Sequence, residues 1–141
     1  MKRIFSIILV LIISLSSCSF DKSLRIESYE WRMRTVMHTE EGQVIYDAAA
    51  EESNTHPEAK IIDMTLVAQD GKLTITDNTN KKSYDGTYSV SGKNPKGRDY
   101  KLTINGKKGY ATVAMTTYAD GTSEPTLPIN LDGYSIYFYA K

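Results

Sequence analysis

Apolar and polar side chains alternate along most of the chain from residue 60 onward, and this period of two limits the fold more than any other feature. In KIIDMTLVA, the apolar residues Ile62, Met64 and Leu66 fall on one face. The same alternation continues through KLTIT, KSYDGTYSV and RDYKLTI. Successive side chains of a β-strand point to opposite sides of the sheet, so this pattern is typical of half-buried strands. It predicts an all-β chain.

Short turn signals separate these strands. Asp70-Gly71, Asn105-Gly106 and Asp132-Gly133 each lie between two alternating segments, and such dipeptides favour tight β-hairpins. With an early strand around Trp31, they predict an antiparallel meander of about eight strands. Closing a meander into a barrel removes the exposed edges of an open sheet. We therefore expect a barrel, with a β-sandwich as the alternative.

The segment YEWRMRTVM predicts the first of these strands. Its alternation places Trp31, Met33 and Thr35 on the inner face. It places Arg34 and Val36 on the outer face, which is otherwise mostly charged.

Irregularities are expected at a few other positions. Gly86 interrupts an alternating run and predicts a bulge or a bend. Pro128, which has no N–H to donate, predicts an edge or an unpaired position in its strand. Residues 38–59 are expected to form a long connection, with a short strand at 44–47 and a helical turn at 48–52.

The first residues carry a targeting pattern instead. Lys2 and Arg3 precede the apolar run IFSIILVLII, and SLSS then leads to Cys18, the only cysteine of the chain. A positive start, an apolar run and small residues are the parts of a secretory signal peptide. The run is shorter than the about 20 apolar residues that a membrane-spanning helix needs.

The sequence LSSC also resembles the lipobox of bacterial lipoproteins. By this resemblance, the signal peptide is residues 1–17 and is removed before Cys18, whose sulfur carries a diacylglyceryl group. The new amino terminus would be acylated by a fatty acid such as palmitate, because two or three chains make a stable anchor and one does not. Residues 18–23 would be the tether. Ser19 after the cysteine resembles the sorting signal for the outer membrane, so we expect a lipid-anchored outer-membrane protein. An ordinary signal peptide with a chance cysteine is the alternative.

Residues 24–141 resemble the lipocalin-like domains that many bacterial lipoproteins carry. The resemblance depends on the strand around Trp31, the long connection, a meander with DG and NG turns, and the terminal YSIYFYA. Lipocalins usually carry Gly-x-Trp on the first strand, where this chain has Tyr29-Glu30-Trp31. The resemblance implies a lipocalin-like barrel in a single domain, and it transfers architecture more than function.

Charge and motifs exclude several classes of function. Basic and acidic side chains number 17 each, and a balance this close to neutral argues against nucleic-acid binding. His38, His56 and one cysteine cannot supply the about four ligands of structural zinc, so we expect no metal and no cofactor. Neither a nucleophile motif nor a carboxylate pair stands out by spacing. We therefore expect a non-catalytic protein.

The remaining candidates for function are large side chains that should face the barrel interior. An eight-stranded barrel is just wide enough to be filled by side chains or to hold one small ligand. We favour a filled, monomeric barrel that binds an envelope protein or a glycan; the alternative is a carrier of a small apolar ligand. The candidate ligand contacts are Trp31, Met33, Tyr88, Tyr100 and Phe138.

Overall fold

A computed structural model describes residues 24–50 and 55–141, without the side chain of Asn94. The expected signal peptide, the tether and Cys18 lie outside this part. A 3₁₀ turn (Ile26–Ser28) precedes the first strand. The strands of the described part are β1 (Trp31–His38), β2 (Gln43–Asp47), β3 (Met64–Gln69), β4 (Lys72–Asp77), β5 (Lys82–Asn94), β6 (Gly97–Ile104), β7 (Lys107–Thr117), β8 (Ser123–Leu131) and β9 (Tyr134–Ala140).

The strands form one antiparallel sheet that closes on itself. From β3 to β9 each strand pairs with the next along the chain, and β1 pairs with both β3 and β9. These eight strands make a closed barrel, and β2 is an additional strand paired with the second half of β1. The prediction of an all-β, lipocalin-like barrel is confirmed.

Strand direction gives the barrel two distinct ends. The turns β1–β2, β4–β5, β6–β7 and β8–β9 lie at one end, which we call the mouth. The turns β3–β4, β5–β6 and β7–β8 lie at the other, together with the 3₁₀ turn that precedes β1. We call this the closed end.

The predicted hairpin turns have the backbone geometry that their sequences favour. The φ angles are 50° and 78° at Asp70-Gly71, 49° and 75° at Asn105-Gly106, and 51° and 83° at Asp132-Gly133. Two successive positive φ angles define a type I′ turn, whose twist matches that of the flanking strands. The sequence signal for these three hairpins is therefore confirmed.

A bulge in β1 changes which residues face inward. The β1–β9 register passes from Met33 directly to Thr35, so Arg34 has no partner on β9. The alternation shifts by one residue at this point, because a bulge inserts an extra residue on one strand. Val36 is consequently buried, at 5% exposure, and lies on the inner side. The prediction that placed Val36 on the outer face was wrong.

Gly86 is not the site of a bulge, one of the two irregularities expected there. The β4–β5 ladder continues without a shift through Gly86, and the β5–β6 ladder begins at it. The irregularity of β5 lies further along, between Val90 and Gly92. A Cβ atom at Gly86 would lie 2.5 Å from the carbonyl oxygen of Thr103. Glycine is required here because β6 approaches the backbone closely.

Pro128 lies in the middle of the sheet but interrupts one of its ladders. It pairs with Tyr137 on β9. On its other side, the β7–β8 pairing has a gap between Ala111 and Ala114. An unpaired position at Pro128 was predicted, and the gap confirms it.

The long connection contains the short strand expected in it. β2 includes the predicted residues 44–47 and forms a hairpin with β1. The chain then returns to β2 through a parallel bridge between Tyr46 and Lys60. The helical turn expected at 48–52 falls partly outside the described residues.

Candidate functional site

A cavity of about 420 Å³ opens at the mouth of the barrel, and every strand contributes to its wall. Its polar side chains come from the β6–β7 and β8–β9 turns and the start of β7: Asn105, Lys107 and Asp132. The remaining lining residues are apolar or aromatic: Val36, Ile45, Tyr46, Met64, Ile75, Tyr84, Ile104, Leu131, Tyr134 and Ile136. The cavity is therefore an apolar cup with a few polar groups on one side of its rim.

Burial within the cup decreases from the floor to the rim. Val36, Ile75 and Ile104 are buried, each at 4–5% exposure. A ring of half-buried apolar side chains surrounds them and packs against the core: Ile45, Tyr46, Met64, Tyr84, Leu131 and Ile136. Contiguous apolar surface open to water is typical of ligand and partner sites.

The five side chains predicted to contact a ligand lie deeper in the barrel. None of them belongs to the lining of the mouth cavity. Each is two to five residues along its strand from a lining residue, on the side of the closed end. Their exposure is at most 9%: Trp31, Met33, Tyr88, Tyr100 and Phe138. They fill the barrel beneath the cavity, and their contact with a ligand stays a prediction.

Hydrogen bonds hold the 3₁₀ turn as a plug in the closed end. Ile26 is fully buried. Its carbonyl oxygen accepts a hydrogen bond from Trp31 Nε1 at 2.8 Å, and its N–H donates to the Tyr100 hydroxyl oxygen at 3.1 Å. The Tyr88 hydroxyl donates to Glu27 Oε1 at 2.7 Å. Burial, together with the Glu27 carboxylate, raises the pKa of Tyr88 to about 12.

The residues that line the mouth were not predicted from the sequence, although the sequence contains a signal for them. Ile104 and Leu131 each stand directly before a turn dipeptide, NG or DG. In a meander these turns alternate between the two ends of the barrel. Inward-facing apolar residues beside alternate turns therefore mark one mouth.

A second group of polar residues lies on the outer wall, and we call it the Arg34 cluster: Arg34, Tyr118, Glu124 and Tyr139. The Arg34 guanidinium donates to Tyr118 Oη at 3.2 Å and to Glu124 Oε1 at 3.1 Å. Its Cζ lies 4.5 Å from the centre of the Tyr139 ring. The β1 bulge orients Arg34 toward this surface, and bulges often re-aim a side chain in this way.

The Arg34 cluster borders an open groove of about 630 Å³. The Tyr118 hydroxyl also donates to Glu124 Oε1, at 2.5 Å. Burial and this carboxylate raise the pKa of Tyr118. The other lining residues come from the β7–β8 loop and the first residue of β8: Ala119, Asp120, Thr122 and Ser123. Asp120 Oδ1 accepts hydrogen bonds from the Thr122 N–H and hydroxyl, which fixes the loop.

A buried carboxylate fastens the connection that follows β2. Asp47 is 4% exposed, and its Oδ2 lies 2.7 Å from His56 Nδ1. Its Oδ1 accepts the Ala49 N–H at 2.9 Å. Burial alone would raise the pKa of Asp47, but the bonds from His56 and Ala49 outweigh it, and the pKa lies below its usual range.

Neither a metal site nor a family assignment follows from these findings. Within residues 24–50 and 55–141, no three or more His, Cys, Asp and Glu side chains are grouped so as to hold a metal ion. No helix in the same two ranges is long and apolar enough to cross a membrane.

No protein-family model, curated protein or solved structure matches the chain. The fold and the cavity define a class: a lipocalin-like barrel with an apolar mouth.

Proposed function

We propose that this chain is a monomeric, non-catalytic binding protein of the cell envelope that takes one small apolar or amphipathic ligand into its mouth cavity. The observation that carries the proposal is the apolar cup of about 420 Å³. Small-molecule sites are concave, mostly apolar and about 300–1,000 Å³ in volume, with a few polar groups that orient the ligand. The mouth has each of these properties.

The filled lower half of the barrel supports the same proposal. Because Trp31, Tyr100 and Phe138 are almost fully buried, the floor of the cup is held by close-packed side chains. A cavity on such a floor is preformed, so a ligand does not have to order the site when it binds. The partly filled barrel combines the solid interior that we favoured from the sequence with room for a ligand at one end.

The proposed lipid anchor on Cys18 would orient this site. The described chain begins at Leu24, just before the plug in the closed end. Five residues separate it from Cys18, and the six steps between the two Cα atoms can span at most about 22 Å. The closed end would therefore lie near the outer-membrane surface, and the mouth would point away from it.

The anchor has its own test. Cells that express the wild type should incorporate a fatty-acid analogue into the protein, whereas Cys18→Ala should incorporate none, because the chain has no other thiol. Label retained in the variant would contradict the anchor but not the cavity.

A titration with an uncharged apolar fluorophore, N-phenyl-1-naphthylamine, tests the ligand site. A soluble chain that starts at residue 22 should give saturable enhancement at one equivalent. Ile136→Trp should abolish it by filling the cup, since Ile136 is a half-buried lining residue.

The matched control introduces a tryptophan on the outer wall instead of in the cup. Val67 is 53% exposed, and Val67→Trp should bind the fluorophore like the wild type. Circular dichroism must show both variants folded. Equal binding by both variants would place the fluorophore elsewhere and contradict the proposal.

The Arg34 cluster supports a second candidate function, recognition of an envelope glycan. Its groove combines Arg34, two carboxylates and the Tyr118 ring on a loop fixed by hydrogen bonds. Such a set offers donors, acceptors and an aromatic surface to a hydroxyl-rich ligand. Purified cell-wall glycan should then co-sediment with the wild type and with Ile136→Trp, but not with Arg34→Met. Equal sedimentation of all three would contradict this function.

A further inference from the structure

The polar side chains of the mouth cavity are confined to one side of its rim. Asn105 lies in the β6–β7 turn, Lys107 follows at the start of β7, and Asp132 lies in the β8–β9 turn. A ligand with an apolar body and one polar head therefore meets charged and amide side chains only on this side. Elsewhere in the lining, the polar side-chain groups are tyrosine hydroxyls.

An exposed ion pair joins two of these residues. Lys107 Nζ lies 3.1 Å from Asp132 Oδ2, and the two side chains are 60% and 55% exposed. Ion pairs as exposed as this one contribute little to stability, because water screens both charges. An ammonium group has three donors, so Lys107 can hold Asp132 and a ligand oxygen together. A ligand can therefore rearrange this ion pair with little loss of folding free energy.

Donors outnumber carboxylates on this side of the lining. The Asn105 amide and the Lys107 ammonium both donate, whereas Asp132 is the one carboxylate among the described lining residues. A carboxylate head has two acceptor oxygens and can take a hydrogen bond from each donor. Hydrogen bonds between charged groups are the stronger ones.

The rim outside the lining carries charges of both signs. Lys81 and Lys82 stand exposed at the β4–β5 turn, and Lys108 stands exposed on β7. The carboxylate opposite Lys82 is Asp77, which is 2% exposed and accepts two hydrogen bonds from Asn80.

The other carboxylates of the rim lie outside the lining as well. Glu40 and Glu41 lie in the β1–β2 turn. Asp63, directly before β3, forms an ion pair with Arg32. Asp85 on β5 accepts a hydrogen bond from the Thr74 hydroxyl. A cationic head would find one carboxylate in the lining, and that carboxylate is already paired with Lys107.

The volume of the cup indicates how much of a ligand the cavity can enclose. A water molecule occupies about 30 Å³ of liquid, so 420 Å³ corresponds to about 14 waters, or on the order of a dozen non-hydrogen atoms. A single medium-length acyl chain has this size, and a two-chain lipid is far larger.

We infer that the ligand of the mouth cavity is a single-chain anionic amphiphile, such as a medium-length fatty acid, whose carboxylate binds Lys107 and Asn105 while its chain fills the apolar cup. The inference rests on the proposed function, because it specifies the ligand class of the same cavity. Lys107 is then the residue that determines the choice of head group.

Calorimetric titration with three ligands of equal chain length tests this inference. Decanoate, decanol and decyltrimethylammonium are used at low salt and below micelle-forming concentrations. Decanoate should bind the wild type at one equivalent and about tenfold more tightly than decanol, as one charge-assisted contact allows. Decyltrimethylammonium should bind most weakly.

Three variants test which residue causes the preference for decanoate over decanol. Lys107→Met removes the charge, keeps an unbranched side chain that is one atom shorter, and should erase the preference for decanoate over decanol. Asp132→Asn should increase the preference, since it removes the competing carboxylate. Lys108→Met is the matched control and should stay within about twofold of the wild type. Exposed positions tolerate such changes, and circular dichroism must show all three folded.

The outcomes separate the two claims. Equal binding of decanol and decanoate, tighter binding of the cation, or a preference that survives Lys107→Met would overturn the anionic head while leaving the cavity as a ligand site. Binding of none of the three compounds would overturn both the inference and the proposed function.

Discussion

Trp31 Nε1 donates a 2.8 Å hydrogen bond to the carbonyl oxygen of Ile26, five residues earlier in the chain. This bond joins the first strand to the 3₁₀ turn that plugs one end of the barrel. Both side chains are fully buried, so the indole fills the interior while its one polar atom is satisfied locally. The barrel is thereby solid at this end, and the unfilled volume lies at the mouth.

Trp31→Ala should destabilise the protein by about 3–5 kcal/mol, the usual cost of removing a buried aromatic side chain. The measurement is the free energy of unfolding in urea, followed by far-ultraviolet circular dichroism because the variant lacks the only tryptophan. Tyr110→Ala, at a residue 63% exposed, should change it by less than about 0.5 kcal/mol. A loss below about 1 kcal/mol for Trp31→Ala would mean that the plug does not depend on the indole.

Tyr88 should make stability depend on pH in the alkaline range. Its pKa in the folded protein is about 12, against about 10 in an unfolded chain. The folded state holds the phenolic proton more tightly, so this stabilisation is complete below about pH 10 and is lost as the pH rises toward 12.

Tyr88→Phe tests this pH dependence. It should cost about 1–2 kcal/mol at neutral pH, because the hydrogen bond to the Glu27 carboxylate is lost. The decline of unfolding free energy between pH 10 and 12 should become shallower. Tyr110→Phe is the matched control and should leave both quantities unchanged. An unaltered alkaline slope in Tyr88→Phe would rule out this role for the tyrosine.

Gly86→Ala should destabilise the barrel by about 1–3 kcal/mol, the range for overpacking. The new methyl group would meet backbone, the Thr103 carbonyl oxygen at 2.5 Å, which cannot move without distorting β6. Gly92→Ala should cost less, since its nearest neighbour is the end of the Asp99 side chain at 3.1 Å. Thermal unfolding of the two variants compares them directly, and equal costs would contradict the close approach of β6 at Gly86.

The fold could be predicted because its signals are local. Alternation within each strand and the dipeptides at 70–71, 105–106 and 132–133 specify hairpins that involve only neighbouring residues. The bulge at Arg34 could not be predicted in the same way. It depends on the register that β9 imposes on β1, and those strands are about a hundred residues apart in the sequence.

The candidate site was predicted only in part, for a related reason. Alternation correctly placed Trp31 and Phe138 inside the barrel. It could not say at what height along the axis the side chains stop filling the interior, because that height depends on the stagger of all the strands. Ile104 and Ile136 have the same pattern as the filled positions, and only their nearness to the mouth turns makes them cavity residues.

The most direct test of the central claim is to locate a bound apolar molecule by methyl NMR. The protein is labelled at Ile, Leu and Val methyl groups, and decanol is titrated into it. The largest shifts should appear at mouth residues, namely Ile45, Ile75, Ile104, Leu131 and Ile136. The buried methyl groups nearer the closed end, Val113 and Leu127, should move little. Shifts confined to those two residues, or to the exposed Val67 and Val90, would contradict a ligand site at the mouth.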